Sequence, residues 1–323
     1  MTSVTSLFAP VEEDLCILTE NLKNLVGARH PILYAAAEYL FGAGGKRLRP
    51  AIVLLISRAT TRDQEITPRH RRLAEITEMI HTSSLVHDDV VDESEVRRGV
   101  PTVHSRFGNR VAVLAGDFLF GQSAWYLANL DNLEVVKLLS EVIKDMAEGE
   151  IQQGLNRFDT SLSIEAYLEK TYCKTASLIA NSAKSAGLLS GVAADVAANL
   201  YLYGRHIGLA FQIVDDILDF TGSTEALGKP AGSDLISGNL TAPVLYALEE
   251  KPYLEALIDG EFAQPEDLEQ AIALVKESRG IERSRELAAH HAQIAVQNLT
   301  QLKPSKSSQA LIDLADYVLS RLY

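Results

Sequence analysis

The stretch EMIHTSSLVHDDVVD, residues 78–92, indicates the helical character of this chain. Its apolar residues recur three and four positions apart, which is the spacing of one face of an α-helix. On such a helix Asp88 and Asp92 lie one turn apart, about 40° from each other in projection, and Asp89 lies beside them. The pattern therefore predicts a helix that presents three carboxylates between apolar neighbours.

This first cluster has two interpretations. A lone D-D-x-x-D pattern is more often a solvated acidic face than a site, because like charges at this spacing repel and are costly to bury. Here the flanking Leu85, Val86 and Val90 are apolar, which favours the wall of a cleft. Carboxylate oxygens in a cleft suit Mg²⁺, and His81, seven residues before Asp88, shares the same stripe.

The segment FQIVDDILDF, residues 211–220, repeats the pattern with Asp215, Asp216 and Asp219 in apolar sequence. Gln212 lies seven residues before Asp219 and shares its face of the helix. Because the two clusters are far apart along the chain, they are predicted to lie on different helices. Facing each other across a cavity, they would hold several Mg²⁺ ions and a diphosphate between them.

Several basic residues near the clusters could bind an anion. Singly, each lysine is more often an ordinary surface residue, and adjacent arginines at a helix end could simply balance the helix dipole. Two carboxylate clusters in the same chain favour the binding role. The candidates are Lys46 and Arg49 in GGKRLRP (44–50), Arg97 and Arg98 after the first cluster, Lys174 in an apolar helix, and Lys229 in a loop after the second cluster.

Composition excludes several classes of protein. The chain of 323 residues is 47% hydrophobic and has a formal net charge of −13, which argues against a nucleic-acid surface. Two distant cysteines without metal spacing, and the absence of a secretory pattern or a long apolar run, predict a cytoplasmic protein that no segment anchors in a membrane. Long helices are predicted over about 69–95, 109–129, 132–157, 164–189 and 193–222, in one all-α domain over residues 1–323.

At these residues the sequence resembles the trans-isoprenyl diphosphate synthases across essentially the whole chain. The matching elements are GGKRLRP at 44–50, HTSSLVHDDVVDESEVRRG at 81–99, Gly116-Asp117, Lys174-Thr175, FQIVDDILDF at 211–220 and Gly228-Lys229. The resemblance implies a single-domain bundle of long helices around a deep central cavity, the isoprenoid synthase fold, and a homodimer. It also implies condensation of isopentenyl diphosphate with an allylic diphosphate after metal-assisted ionisation.

Residue roles follow from the same resemblance. It implies three Mg²⁺ ions held by Asp88, Asp92, Asp215 and Asp219, with Asp88, Asp92, Asp215, Lys174 and Lys229 as the catalytic set. It implies that the allylic diphosphate is bound by Arg97, Lys174, Thr175, Gln212 and Lys229. It implies that isopentenyl diphosphate is bound by Lys46, Arg49, His81 and Arg98.

The length of the product is predicted from the helix that carries Asp88. Members that make short products commonly place a bulky aromatic residue four or five positions before the first aspartate, where this chain has Ser84 and Ser83. With Ile80 and Thr77 further along the same helix, the serines predict an open tunnel and a product longer than C20. Trp125 and Tyr126 are candidates either for a deeper floor or for a helix interface.

One departure refines this prediction. GNLTAP at 238–243 stands where many bacterial members show Gly-Lys-x-Thr-Leu-Pro, so Asn239 replaces a lysine that could contact a diphosphate. This variant and SLFAPVEEDL at 6–15 resemble the solanesyl diphosphate synthases of cyanobacteria and plastids. The resemblance implies a C45 product for the plastoquinone side chain, released with at most peripheral membrane contact.

Other functions remain as alternatives. A geranylgeranyl (C20) or octaprenyl (C40) synthase would share every motif, and a non-catalytic partner subunit would be favoured by loss of one aspartate cluster. A terpene cyclase shares the first motif but usually has an Asn/Ser/Glu triad in place of the second. A metal phosphohydrolase could use His81, His87, Asp88 and Asp92, but that reading leaves residues 215–219 unexplained.

Overall fold

Helices make up most of the described residues, as the sequence pattern predicts. The computed structural model describes residues 4–25, 30–42, 45–97, 99–222, 231–264 and 266–322. The helices are α1 Val4–Leu7, α2 Glu12–Leu25, α3 Pro31–Gly42, α4 Leu48–Thr60, α5 Pro68–Val91, α6 Val103–Phe107, α7 Asn109–Ala128, α8 Leu133–Leu155, α9 Ile164–Thr171, α10 Ser177–Leu189, α11 Ala194–Thr221, α12 Ser233–Ile236, α13 Ala242–Leu248, α14 Pro252–Asp259, α15 Asp267–Glu277, α16 Gly280–Gln297 and α17 Lys306–Ser320. A 3₁₀ turn covers Ala9–Val11, and a π-helical turn covers Tyr172–Ala176.

The strands of the described residues form one small ladder at a predicted break. Strand β1 (Val96–Arg97) pairs antiparallel with β2 (Val100–Pro101), so that Val96 lies opposite Pro101. Each strand has two residues, too short for an alternating pattern to be read from sequence. Arg98, which stands between the two strands in sequence, lies outside the described residues.

The chain folds into two compact units. The first comprises Met1–Ile143, Leu178–Tyr201 and Leu299–Asp313, and the second comprises Lys144–Ser177, Leu202–Asn298 and Leu314–Tyr323. The first aspartate cluster (Asp88, Asp89, Asp92) belongs to the first unit, and the second cluster (Asp215, Asp216, Asp219) to the second. The predicted organisation as one domain over residues 1–323 stays a prediction.

In the first unit, α5 is held between two packed helices. Residues 51–56 of α4 are at most 1% exposed, so this helix is apolar on every side and packs against α5. The opposite side of α5 packs against α7. Thr67 caps the start of α5 by accepting a hydrogen bond from the His70 backbone N–H. The first cluster therefore lies at the end of a well-anchored helix.

This helix ends earlier than the prediction of 69–95. Asp92 occupies the C-cap of α5, and its N–H donates to the Asp88 carbonyl at 2.8 Å. Glu93 follows with φ of 51°, in the left-handed region that ends a helix. The Ser94 N–H then donates to the Asp89 carbonyl at 2.9 Å. Glu93, Ser94 and Glu95 thus lie outside the helix, because α5 ends at Asp92.

In the second unit, the helix predicted over 164–189 is interrupted. The π-helical turn separates α9 from α10, which inserts one residue without breaking the run of apolar side chains. Gly149 of α8 packs against this turn: a Cβ at Gly149 would lie 2.9 Å from the Cys173 Cβ. Four short helices, α1, α6, α12 and α14, also went unpredicted, because four to eight residues are too few to establish a helical period.

Helix α7 bears on the prediction that no segment anchors the chain in a membrane. Among the described residues it is the one helix long and apolar enough to do so by length and composition. A third of its most apolar window is buried, and Ala112, Ala115 and Leu119 on that side pack into the first unit. Since helices of protein cores meet the same criterion, α7 is weak evidence for a membrane span.

Candidate active site

The first aspartate cluster has two kinds of carboxylate. Asp88 is half-buried and Asp92 is exposed at the helix end, one turn apart as predicted. Asp89 is buried, and the Arg97 Nε donates to its Oδ1 at 2.7 Å. Burial raises the pKa of the Asp89 carboxyl, and the Arg97 charge opposes this rise. Asp89 therefore anchors β1 to α5, which leaves Asp88 and Asp92 as the predicted metal ligands of this cluster.

Predicted binders of isopentenyl diphosphate come together on α4 and α5. The Arg49 Nη1 lies 3.0 Å from the His81 Nε2, and Lys46 is exposed just before α4. The neighbouring Arg47 has a different role, because it forms an ion pair with Glu78 and donates to the Phe41 carbonyl at 3.1 Å. Arg49 and His81 thus lie in contact, and their role in binding an anion stays a prediction.

A pocket in the first unit joins residues that the sequence analysis assigned to different substrates. His81, Leu85, Asp89 and Arg97 all line it, with Pro101 on its rim. His81 was predicted to bind isopentenyl diphosphate and Arg97 the allylic diphosphate. Their shared pocket shows that the first cluster region presents cationic and apolar surface together.

In the second cluster Asp215 and Asp216 have opposite environments. Asp215 is half-buried, and the Arg321 Nη2 lies 2.6 Å from its Oδ1. Asp216 is buried; the Tyr167 hydroxyl donates to its Oδ2 at 2.6 Å and the Gln212 amide to its Oδ1 at 2.9 Å. Burial and the nearby Asp234 charge raise the pKa of the Asp216 carboxyl. Tyr167 and Arg321 were missed from sequence, where they carry no local signal.

Asp219 holds the chain that returns after the second cluster. It is 1% exposed, and the Ser233 hydroxyl donates to its Oδ1 at 2.8 Å. The Asp234 backbone N–H donates to its Oδ2 at 3.2 Å. Lys229, predicted to bind the diphosphate from this loop, lies outside the described residues. The contacts give Asp219 a positioning role, and its predicted role as a metal ligand stays a prediction.

The π-helical turn presents two predicted allylic-diphosphate binders. The Lys174 ammonium lies 2.6 Å from the Glu150 Oε2 and donates to the Gln153 Oε1 at 3.1 Å. The Thr175 hydroxyl donates to the Gln212 Oε1 at 3.0 Å. Gln212 therefore links Thr175 to Asp216 in one chain of hydrogen bonds. A π-helical turn is common at functional sites because it re-aims side chains within a helix.

The four chain-length candidates on α5 differ in exposure. Thr77, Ile80 and Ser83 are fully buried, and the Ser83 hydroxyl donates to the Gly116 carbonyl of α7 at 2.7 Å. Ser84 is half-buried and bonds the His81 carbonyl at 2.9 Å. Of the four, Ser84 is the least buried. Trp125 is 60% exposed, and its two suggested roles, in a tunnel floor or in a helix interface, stay predictions.

The donor set suits a hard divalent cation. Among the described residues, no group of three or more His, Cys, Asp or Glu side chains is gathered for metal binding. Mg²⁺ does not need such a group, since it keeps several waters and is commonly bound by one or two carboxylates together with substrate phosphates. Asp88 with Asp92, and Asp215 in the second unit, fit that mode of binding.

Comparisons with known proteins agree on one family. Residues 30–275 match the Polyprenyl synthetase family. A prenyl transferase of Synechocystis is 71% identical to this chain, and the match covers 100% of both chains. The chloroplastic solanesyl-diphosphate synthase 2 of Oryza sativa is 55% identical, over 99% of this chain and 80% of that protein.

A solved structure extends the likeness to the fold. The polyprenyl synthase of Caulobacter crescentus, complexed with calcium and isoprenyl diphosphate, superposes with a TM-score of 0.92 at 34% identity and covers 100% of this chain and 99% of its own. The predicted all-α isoprenoid synthase fold is thereby confirmed. The chain therefore belongs to the polyprenyl synthetase family, and it is a trans-prenyltransferase of that family.

Proposed function

We propose that this enzyme condenses isopentenyl diphosphate with an allylic diphosphate and releases a long all-trans polyprenyl diphosphate, C45 solanesyl diphosphate. The observation that carries the proposal is the Thr175–Gln212–Asp216 chain of hydrogen bonds beside Lys174, next to a half-buried Asp215. This arrangement offers an anion both a cation and fixed polar groups. The length of the product is supported by the 55% identity to a solanesyl-diphosphate synthase.

We assign the metal sites to the outer aspartates. Asp88 and Asp92 in the first unit, with Asp215 in the second, would hold Mg²⁺, and three ions are proposed for the complete site. When bound, Mg²⁺ supplies Lewis-acid stabilisation of the charge on the departing diphosphate. Asp219 would contribute through the turn at Ser233 and Asp234.

The chain's own cations perform the rest of the charge stabilisation. Lys174, with Arg97 and Lys229 as predicted, would hold the allylic diphosphate while its carbon–oxygen bond ionises. Thr175 and Gln212 would fix the orientation of that diphosphate by hydrogen bonds. Apolar neighbours such as Leu85 and Val86 would keep water from the allylic carbocation.

Isopentenyl diphosphate is assigned to the Arg49–His81 pair. The two side chains are already in contact at 3.0 Å, so a diphosphate meets a preformed group of donors. Lys46 and the predicted Arg98 complete this set. Held there, the double bond of isopentenyl diphosphate attacks the carbocation, and the proton lost afterwards passes to the released diphosphate, so positioning supplies much of the rate.

A direct assay tests the activity. Purified enzyme is incubated with labelled isopentenyl diphosphate and each of three allylic primers (C10, C15 and C20), with Mg²⁺ or with EDTA, and the products are sized. We expect metal-dependent formation of C45 product. A product that stops at C20, or at C40, would select one of the shorter alternatives, and no product from any primer would favour a partner-subunit role.

The tunnel is tested at Ser84, the half-buried candidate of α5. Ser84→Phe is expected to shorten the product by several isoprene units, because the ring would occupy the space next to His81. Ser84→Ala is the matched control, since it removes the hydroxyl without adding volume, and it should leave the product length unchanged. Unchanged length in both variants would refute the tunnel assignment.

We further propose a homodimer formed through α7. The residues of this helix on the side away from the core are exposed, including Val113 at 40%, Leu114 at 47% and Trp125 at 60%. An apolar stripe at helical spacing suits an isologous contact with the same stripe of a second copy. Leu114→Asp should convert a dimer to a monomer in light scattering. A wild-type monomer, or binding of α7 to lipid vesicles instead, would refute the dimer.

The predicted cytoplasmic location, with at most peripheral membrane contact for product release, is part of the same proposal. Fractionation of cells that express the full chain tests it. Recovery in the membrane fraction that resists high salt and carbonate would contradict it.

A further inference from the structure

A second lysine lies buried near the second aspartate cluster, and the proposed mechanism does not use it. Lys170 is the penultimate residue of α9 and is 6% exposed. Its ammonium donates to the Asn239 Oδ1 at 2.6 Å and lies 5.8 Å from the Tyr167 ring centroid. A lysine this buried is rare unless it is paired, because desolvating an ammonium is costly.

The charges around Lys170 belong to the candidate active site. Burial is the largest effect and lowers the pKa of the Lys170 ammonium. The nearby carboxylates of Asp216, Asp234 and Glu150 oppose this effect, and the Lys174 charge adds to it. Lys170 and Lys174 are therefore close enough to influence one another. Two ammonium groups near each other gain stability when an anion binds beside both.

The hydrogen-bond partner of Lys170 is Asn239, which does not neutralise the charge of the ammonium. Asn239 is neutral, so it orients the ammonium without cancelling the positive charge, as an aspartate would. Asn239 accepts one of the three N–H groups of the ammonium, and the other donors can serve a ligand.

The backbone around Asn239 is firmly held. The Asn239 N–H donates to the Asp234 carbonyl at 2.9 Å, and the Phe158 N–H donates to the Gly238 carbonyl at 2.9 Å. Gly238 has φ of 78°, and a Cβ there would lie 2.6 Å from the Phe158 ring. Glycine is thus required at 238, and Asn239 is a fixed acceptor rather than a mobile surface residue.

Position 239 is also where the sequence departs from the Gly-Lys-x-Thr-Leu-Pro pattern that many bacterial members of the resembled family show. A lysine at 239 would place an ammonium at this turn. In this chain the ammonium comes from α9 instead, and residue 239 supplies its acceptor. The Lys170 ammonium therefore lies at the turn that contains residue 239.

We propose that Lys170 is a further diphosphate-binding residue of the second aspartate cluster, held in place by its hydrogen bond to Asn239. The inference rests on the proposed function, in which this region binds the allylic diphosphate. It predicts that affinity for the allylic substrate depends on a positive charge at position 170. It also predicts that moving this charge to position 239 preserves the affinity.

The test compares variants that separate charge from hydrogen bonding. Lys170→Gln can still donate to Asn239 but has no charge, and it should raise KM for the allylic diphosphate about 10-fold, equivalent to about 1.4 kcal/mol. KM for isopentenyl diphosphate should change less than about 2-fold. The exchange Lys170→Gln with Asn239→Lys should restore the allylic KM to within about 3-fold of wild type.

Further variants guard against misfolding and general charge effects. Lys170→Arg should bind like wild type, since it keeps charge and donor. Asn239→Asp keeps the hydrogen bond but cancels the charge, so it should weaken allylic binding even if Lys170→Gln does not fold. Lys184→Gln is the matched control, because this lysine belongs to the first unit and pairs with Glu134 at 3.6 Å.

Calorimetric titration with inorganic pyrophosphate and Mg²⁺ gives a readout independent of turnover. Lys170→Gln should bind pyrophosphate more weakly than wild type, while the exchange variant should recover. Equal affinity of wild type and Lys170→Gln, or a loss that the exchange does not restore, would overturn the role of Lys170. Wild type that binds pyrophosphate but fails to extend any allylic primer would refute the proposed function and leave Lys170 assigned by its binding data.

Discussion

The two aspartate clusters share one sequence pattern but have different surroundings. In both, the middle aspartate is buried, at 4% exposure for Asp89 and 3% for Asp216. Asp89 is paired with the Arg97 cation, whereas Asp216 is bonded to the neutral Tyr167 and Gln212. The same position of the motif is thus stabilised by charge in one unit and by hydrogen bonds in the other.

The last aspartate of each cluster differs more. Asp92 caps the end of α5 and is exposed, whereas Asp219 lies within α11, is buried, and accepts hydrogen bonds from Ser233 and Asp234. The spacing of the aspartates in the motif therefore places their carboxylates on one face of a helix. Whether a carboxylate is exposed to solvent or buried depends on how the chain continues after the motif. We expect the outer aspartates Asp88 and Asp215, half-buried in both clusters, to be functionally equivalent.

The strongest test of that equivalence removes each carboxylate in turn. Asp88→Ala and Asp215→Ala should each lower kcat/KM by roughly 10³-fold, about 4 kcal/mol, because each removes a ligand that stabilises the departing diphosphate. If both clusters serve one diphosphate, the double variant should be little worse than either single variant. Asp195→Ala, at the exposed start of α11, is the control and should retain activity. Fully multiplicative losses would show that the clusters act on separate steps.

The middle aspartates are tested through their partners. Tyr167→Phe should cost about 1–3 kcal/mol of unfolding free energy, because it leaves a fully buried carboxylate oxygen without its donor. Arg97→Met should cost less, about 1 kcal/mol, because the Arg97 side chain is 37% exposed and water can replace it. Urea denaturation measures both, with Tyr253→Phe, an exposed tyrosine of α14, as control. Equal losses would contradict the difference between the two environments.

Local periodicity explains what could be predicted from sequence. Residues within a few helical turns of one another were enough to predict three features. These are the spacing of Asp88 and Asp92, the helices that carry both clusters, and the need of Lys174 for a partner. The proximity of Arg49 to His81 was implied by family resemblance, and their 3.0 Å contact is consistent with it. These features depend on short stretches of sequence, in which the pattern of apolar and charged residues indicates which side chains are buried.

Contacts between residues that are far apart in sequence could not be predicted from local periodicity. Arg321, 2.6 Å from Asp215, comes from the end of the chain, and the partners of Asp219 come from a turn after a variable loop. The π-helical turn at 172–176 was missed because one inserted residue leaves the apolar run intact. The position of Lys170 beside the second cluster was not predicted either, since it depends on a contact with Asn239, which is distant in sequence.

The smallest expected effect concerns pH and compares Asp89 with Asp216. Burial raises the pKa of both carboxyls, and Arg97 opposes the rise for Asp89 alone. A raised folded pKa means that the folded state holds a proton which the unfolded state has released. The stability this contributes is present below the ordinary value of 3.8 and is lost as pH rises through the folded pKa.

An asparagine side chain is neutral at every pH, so the Asp216→Asn variant should not lose this contribution to stability as the pH rises. Relative to this variant, metal-free wild type in EDTA should lose on the order of 1 kcal/mol of unfolding free energy between pH 5 and pH 8. Asp89→Asn should differ from wild type by a smaller slope, because the Arg97 charge already favours the ionised form of Asp89. Parallel stability curves for wild type and Asp216→Asn would mean that Tyr167 and Gln212 alone hold Asp216 ionised. In that case the second cluster would match the first in charge, and the contrast between them would reduce to the exposure of their last aspartates.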